Sequence, residues 1–254
     1  MHNFPLKKHE LSGLTIYCSE KLSCEKVLGI LHEDGTILKT SPKYETKQIG
    51  QWVLKSSNQH AFHGLIRHCF AEQRPQTLFK IVDRLQKNGI TSPQLVAIVI
   101  WRYFRLGWRR TVITEYLSDV RTVEQYLREI LREKPEDVGP FFHELQSIIQ
   151  RLFSSGLYHE DLSGKNILTA NGKDFYLVDL EAVRLHYIPT KGKLVRNLVQ
   201  LYDSFCDMVD DEHLLPFICG LLPPGLPKER YFALIKEKQK KRRSKHLHKV
   251  SKQH

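Results

Sequence analysis

The chain has 254 residues, 41% hydrophobic and 26% charged, a composition that excludes a disordered or fibrous polymer and suits one substantial core or two lobes. Its longest apolar run, residues 95–101, is too short to span a bilayer, and residues 1–8 lack the apolar centre of a signal peptide, so the expected location is the cytoplasm. The net charge of +11 is uneven: from Lys236 onward seven lysines and two arginines face one glutamate, a net +8 that reads as a basic tail rather than a basic globular face. Five cysteines without a C-x-x-C pair argue for free thiols, not a disulfide framework or a zinc site.

In chain order, residues 1–35 read as an extension with one strand at 14–18. Three antiparallel strands follow at 36–42, 44–49 and 51–55, punctuated by Gly35 and Gly50, the third ending in Lys55. Residues 61–88 have helical periodicity through Leu65, Ile66, Phe70, Leu78, Ile81, Val82 and Leu85, with Pro75 as a start or break and Asn88-Gly89 as the close. Two more strands are expected at 95–101 and 111–116. The arginine-rich, aromatic stretch between them fits a hairpin loop facing solvent or an anionic sugar better than a nucleic-acid surface.

Thr122-Val123-Glu124-Gln125 is a capping box opening a helix with Val123, Tyr126, Leu127, Ile130 and Leu131 on one face. Pro140 suits the first turn of the next helix, whose stripe runs from Phe141 to Phe153 and stops near Gly156. Beyond residue 181 come a loop, a helix carrying Leu194, Val195, Leu198, Leu201, Tyr202 and Phe205 on one side, and a rigid Pro/Gly turn at 220–227. A last amphipathic segment runs into the basic tail, 236–254.

The most informative stretch is Tyr158-His159-Glu160-Asp161-Leu162-Ser163-Gly164-Lys165-Asn166-Ile167-Leu168, followed by Phe175-Tyr176-Leu177-Val178-Asp179-Leu180-Glu181. In pattern form it is H-x-D-L-x-x-x-N, a hairpin turning at Asn171-Gly172, and an apolar strand ending in Asp. Phosphoryl transfer from ATP needs these groups: a carboxylate to receive the acceptor's proton, and a carboxamide and second carboxylate to hold magnesium. Incidental polar residues on a buried hairpin would be costly to satisfy unless a cation sat among them.

With that motif in place, a strand carrying Lys55 resembles the kinase strand whose lysine holds the α- and β-phosphates, and Lys39, in the same Ile-Leu-Lys setting, is its rival. Thr114-Glu115-Tyr116-Leu117 is similar to a hinge whose backbone binds adenine. No G-x-G-x-x-G occurs; the turn Ser41-Pro42-Lys43 stands in its place. The helix acid that pairs with the strand lysine in kinases would fall near Leu78, and Glu72 is the nearest carboxylate.

These landmarks, with Leu85-Gln86-Lys87-Asn88-Gly89-Ile90-Thr91-Ser92-Pro93 and Arg196-Asn197-Leu198-Val199-Gln200-Leu201, resemble the bacterial lipopolysaccharide core kinases, the Kdo and core heptose kinases, over about residues 36–206. The resemblance implies an α+β, bilobal protein-kinase-like fold, with a small antiparallel-sheet N-lobe over 36–116 and a compact, mainly helical C-lobe over 117–235. It implies ATP- and Mg²⁺-dependent phosphorylation of a hydroxyl on an inner-core sugar, at the cytoplasmic face of the inner membrane. Residue by residue, Asp161 would be the base and Lys165 would neutralise charge on the transferred group. Asn166 and Asp179 would bind magnesium, while Lys55, Glu115, Tyr116 and Leu117 would hold ATP. His159 would brace the loop, and Glu181 would stand beside the metal. The partners implied are the core glycolipid acceptor and, through the basic tail, the anionic inner membrane, at about 1 kcal/mol per surface Lys or Arg.

Three alternatives stand beside this reading: a protein Ser/Thr kinase, another small-molecule kinase, and a non-catalytic kinase-like binding protein. Glu160 in place of the arginine that reads a phosphorylated activation loop, and the absence of A-P-E after Asp179, weigh against the first. The full set Asp161, Asn166 and Asp179 weighs against the last.

Overall fold

The computed structural model describes residues 6–42, 44–60, 73–103, 107–185 and 190–250. Two units divide the chain, Met1–Asp83 with Pro93–Ser118, and Arg84–Ser92 with Asp119–His254.

The first unit is built on a seven-stranded antiparallel sheet. Its members are β1 (Lys7–Leu11), β2 (Leu14–Cys18), β3 (Thr36–Thr40), β4 (Tyr44–Ile49), β5 (Trp52–His60), β6 (Leu95–Tyr103) and β7 (Gly107–Glu115), in the order β1-β2-β6-β7-β5-β4-β3. The helix α1 (Cys24–His32) is capped by the Ser23 hydroxyl, which accepts from the Lys26 N–H. Val27 and Ile30 of α1 join Ile16, Leu54, Val96, Val99 and Ile113 of the sheet in one apolar cluster. The expected extension of one strand is thus corrected: residues 7–32 supply two strands and a helix. The edge strand β1, Lys-Lys-His-Glu-Leu, is exposed on both faces, so it carries no apolar alternation to read.

Lys55 is not at a strand end, as expected, but in the middle of β5, where it faces Thr46 of β4 and Val112 of β7. The strands expected at 95–101 and 111–116 extend toward each other to Tyr103 and Gly107, and Arg109 stacks on Trp101, 5.9 Å from the ring centroid. Helix α2 (Gln73–Lys87) carries Pro75 in its first turn and buries Leu78, Phe79, Ile81, Val82 and Leu85. Glu72, Lys43 and residues 61–72 of the expected helix lie outside the described residues.

The second unit holds β8 (Arg121–Thr122), α3 (Val123–Glu133), α4 (Val138–Ser154), β9 (Leu157–His159), β10 (Ile167–Thr169), β11 (Phe175–Leu177), β12 (Val183–Leu185), α5 (Lys191–Phe205), α6 (Asp211–Gly220) and α7 (Lys228–Val250). The capping box forms: the Gln125 N–H donates to the Thr122 hydroxyl at 3.2 Å and the Thr122 N–H to Gln125 Oε1 at 3.0 Å. Helix α4 is the centre of the unit. Its Phe142 ring packs on Phe205 of α5 and Phe217 of α6 at centroid distances of 5.5 and 4.9 Å, contacts worth about 0.5–1.5 kcal/mol each beyond their burial.

The C-terminal segment is not a tail. Helix α7 continues to Val250 and lies along α5, burying Phe232, Ile235 and Gln239. Arg243 donates from Nε to Asp203 Oδ1 at 2.6 Å and from Nη1 to Asp207 Oδ1 at 2.8 Å, and Gln239 Nε2 reaches the same Asp203 oxygen at 2.8 Å. The Arg243 guanidinium holds the Asp207 carboxyl below its ordinary range. A stretch that looks like a solvated charge run is docked through Gln239, both of its arginines and Lys236, which pairs with Asp211.

Candidate active site

The loop of residues 160–166 is held at both ends by strand pairs. Before it, β9 pairs with β12, His159 opposite Val183; after it, β10 pairs with β11, Ile167 opposite Leu177. The hairpin expected at Asn171-Gly172 is present. Asn171 Oδ1 accepts the N–H groups of Lys173 and Asp174, both at 2.9 Å. Gly172 has φ +73°, and a Cβ there would lie 2.6 Å from the Tyr126 ring, so only glycine fits. In the loop, Gly164 is equally constrained by space: its Cβ would stand 2.7 Å from Glu124 Cγ.

Asp161 is exposed at the turn of the loop. Its Oδ2 accepts from Asn166 Nδ2 at 3.1 Å and its Oδ1 from Gln200 Nε2 at 3.3 Å; Asn166 Nδ2 also donates to the Asp161 carbonyl at 2.8 Å. The Val178 N–H donates to the Asn166 carbonyl at 3.0 Å, which ties the Asp179 strand to the loop. Asp179 itself takes the left-handed backbone conformation, φ 56° and ψ 50°, a strained state for a non-glycine residue that persists only where the surroundings enforce it. Asp161, Lys165, Asn166 and Asp179 are thus assembled from one loop and one hairpin. Glu181 follows in a 3₁₀ turn, its carbonyl accepting from Arg184 Nη1 at 2.5 Å.

His159 is fully buried and its tautomer is defined by its partners. Nε2 lies 3.1 Å from the Val178 carbonyl, which only accepts, so Nε2 carries the proton; Nδ1 therefore accepts the Asp161 N–H, also at 3.1 Å. Burial holds its pKa below the ordinary value, and the ring is a neutral strut between the Asp161 loop and the Asp179 strand. In the unfolded chain the imidazole titrates near 6.5, higher than in the fold, so falling pH loads the proton on the unfolded state first. The stability it contributes is present above about pH 6.5 and is lost as pH drops toward the folded pKa. The melting temperature should therefore fall between about pH 7 and pH 5.5, and His159→Gln should flatten that slope; an identical slope in the variant would show that other groups carry it.

Sequence reasoning places Gln200 in a family landmark without a role and does not single out Ser204. Gln200 Oε1 accepts the Leu162 N–H at 3.1 Å and Asn197 Nδ2 at 2.9 Å, and its Nε2 donates to the Glu160 carbonyl at 2.9 Å. Asn197 Nδ2 also reaches the His159 carbonyl at 2.7 Å, and the Ser204 hydroxyl accepts the Gly164 N–H at 2.9 Å. The signal was there: Asn197, Gln200 and Ser204 lie at i, i+3 and i+7, a polar stripe on an otherwise apolar helix. Glu160, where protein kinases have arginine, is itself paired with Arg184 Nη2 at 2.8 Å. Beside the loop lies a cavity of about 420 Å³ lined by Asp161, Lys165, Gln200, Asp203, Arg242 and Arg243, among others.

The ATP-side expectations fall in the first unit. Lys55 and Lys39 lie in one row across β3, β4 and β5, on one face of the sheet, with Nζ 5.1 and 5.5 Å from the centroid of the same Tyr44 ring. Lys55 is half-buried in the sheet interior; Lys39 is exposed on the edge strand. The Glu115 N–H donates to the Gln94 carbonyl at 2.9 Å and the Tyr116 N–H to the Gln51 carbonyl at 2.8 Å. Leu78, near which the kinase helix acid would fall, is buried core.

Fold and loop together define a kinase-like phosphotransferase. Residues 26–216 match the lipopolysaccharide kinase (Kdo/WaaP) family, and the chain belongs to that family. Among solved structures, WaaP in complex with acyl carrier protein superposes with a TM-score of 0.61 at 14% identity, over 85% of this chain and 92% of that one. The WbdD crystal structure aligns with a TM-score of 0.46 at 15% identity, over 82% of this chain and 51% of that one. No curated protein matches the sequence. Family membership implies ATP as the phosphoryl donor.

Proposed function

We propose that this chain transfers the γ-phosphoryl group of ATP, with magnesium, to a hydroxyl of an inner-core lipopolysaccharide sugar. The observation that carries the reading is Asp161: an exposed carboxylate fixed by Asn166 and Gln200 at the mouth of a cavity that also receives Lys165 and Arg242. As the acceptor oxygen bonds to the γ-phosphorus and the bond to the β-γ bridging oxygen breaks, the acceptor's proton passes to Asp161 and ADP departs. Lys165 offsets the charge on the transferred group.

Asn166 spends its amide nitrogen on Asp161, which leaves Oδ1 as a ligand. With the Asp179 carboxylate the donors are all oxygen, the set that magnesium takes. Bound there, the ion would neutralise phosphate charge. In the first unit Lys55 would hold the α- and β-phosphates. With the Glu115 and Tyr116 amides already engaged, the Glu115 carbonyl and the Leu117 N–H, unpartnered among the described residues, would meet adenine. The half-buried position of Lys55 favours it over Lys39: Lys55→Ala should lower turnover by about two orders of magnitude or more, and Lys39→Ala should leave it within about threefold. The reverse pattern would transfer the role to Lys39.

The acceptor is lipid-borne, which places the enzyme at the inner face of the inner membrane; no helix among the described residues is long and apolar enough to cross it. The test is transfer from labelled ATP to purified lipid A bearing inner-core sugars, with a generic protein substrate in parallel. Label in the glycolipid alone is expected; label in protein alone would overturn the reading.

A further inference from the structure

A cavity of about 710 Å³ lies between α5 and α7. Its floor is apolar: Val195 and Val199 on α5, Leu234 and Tyr231 on α7. Its rim is cationic, with Lys191 and Arg196 from α5 and Lys238, Lys241, Arg242 and Lys245 from α7. The last four stand at i, i+3, i+4 and i+7, one continuous helical stripe. None of the lining residues is an acid. Lys241 has Glu237 at 2.5 Å and Arg242 has Asp203 at 3.4 Å, whereas Lys191, Arg196, Lys238 and Lys245 make no ion pair among the described residues. The first two residues of α5, Lys191 and Gly192, also line the groove, so the positive end of that helix adds to the field.

Six cations around one groove repel each other, an arrangement that an anion relieves. An apolar floor beneath them asks for an anion with a hydrocarbon portion, as in a phosphorylated, acylated lipid. Arg242 lines both this groove and the cavity that holds Asp161. We propose that the α5–α7 groove binds a phosphate monoester on the lipid anchor of the acceptor. Arg242 then joins the anchor site to the cavity where the accepting hydroxyl meets Asp161. This rests on the glycolipid reading above and assigns it a site.

The test uses the full chain and phosphatidylcholine vesicles doped with bis-phosphorylated lipid A, with dephosphorylated lipid A, or with phosphatidylglycerol at matched charge. Binding should be strongest to the first. The variant Lys238→Gln/Lys241→Gln/Lys245→Gln should weaken it on the order of a hundredfold. Lys134→Gln/Lys173→Gln/Lys240→Gln removes the same charge from exposed positions outside the groove and should bind as the wild type does. In turnover, the groove variant should raise KM for the vesicle-borne acceptor while leaving KM for ATP unchanged. Should the triple variant melt early, Arg196→Gln, on the opposite wall, gives an independent reading. Equal binding to phosphatidylglycerol, or equal loss in both triple variants, would reduce the groove to nonspecific charge and overturn the proposal. Vesicle binding untouched by the groove variant would overturn it too, and would leave the groove to an acidic protein. Phosphate-dependent binding without any transfer to the glycolipid would defeat the acceptor reading alone.

Discussion

Asp161→Asn will lower phosphoryl transfer by about a thousandfold while KM for ATP stays within about threefold. Asparagine keeps the length and planarity of the side chain and can still accept one of the two hydrogen bonds that now come from Asn166 and Gln200. It cannot take up the acceptor's proton, and a positioned base is worth about 10²–10⁴ in rate. The loop stays anchored through backbone groups that the substitution does not touch, namely the Leu162 N–H on Gln200 and the Gly164 N–H on Ser204. The melting temperature should therefore move little. Steady-state rates with saturating ATP and a glycolipid acceptor decide the matter, and a variant within about tenfold of wild type would remove Asp161 from the role of base.

Gln200→Leu will cost about 2–5 kcal/mol of stability and lower kcat by about one to two orders of magnitude. The substitution preserves volume but strands the Leu162 N–H, which donates to Gln200, and the Glu160 carbonyl, which accepts from it, and it takes from Asn197 Nδ2 one of its two acceptors, leaving the His159 carbonyl. Leu162 and Asn197 are fully buried, so water does not replace the lost partner cheaply. At this chain length the loss corresponds to a drop of roughly 5–15 °C in melting temperature. Turnover falls because the same amide fixes the Asp161 carboxylate, and small displacements of a base are costly. An unchanged melting curve together with unchanged kcat would show that His159 and Asn166 hold the loop without α5.

The capping box at Thr122, the stripe of α4 and the hairpin at Asn171-Gly172 were legible because each is written within a few consecutive residues. The same holds for the spacing Asp161, Asn166, Asp179, since one loop and one hairpin fix those side chains in space once the strands pair. Local signals failed where partners are distant. β1 has no apolar face of its own and is a strand only because β2 lies beside it. Lys55 lies mid-strand because β4 and β7 extend the pairing of β5 past the apolar residues.

Residues 236–254 carry this contrast furthest. Their composition alone establishes a strong positive field. Helix and docking depend on Asp203 and Asp207, more than thirty residues away in the chain, which meet Arg243 only after α5 and α7 pack. Charge is a sum over residues and survives any arrangement of them, whereas a groove needs two helices side by side. Packing turns six of the chain's cations into the rim of one cavity and brings Arg242 to the edge of the Asp161 site, because pairing through Asp203 and Asp207 sets the rotation of α7 about its own axis.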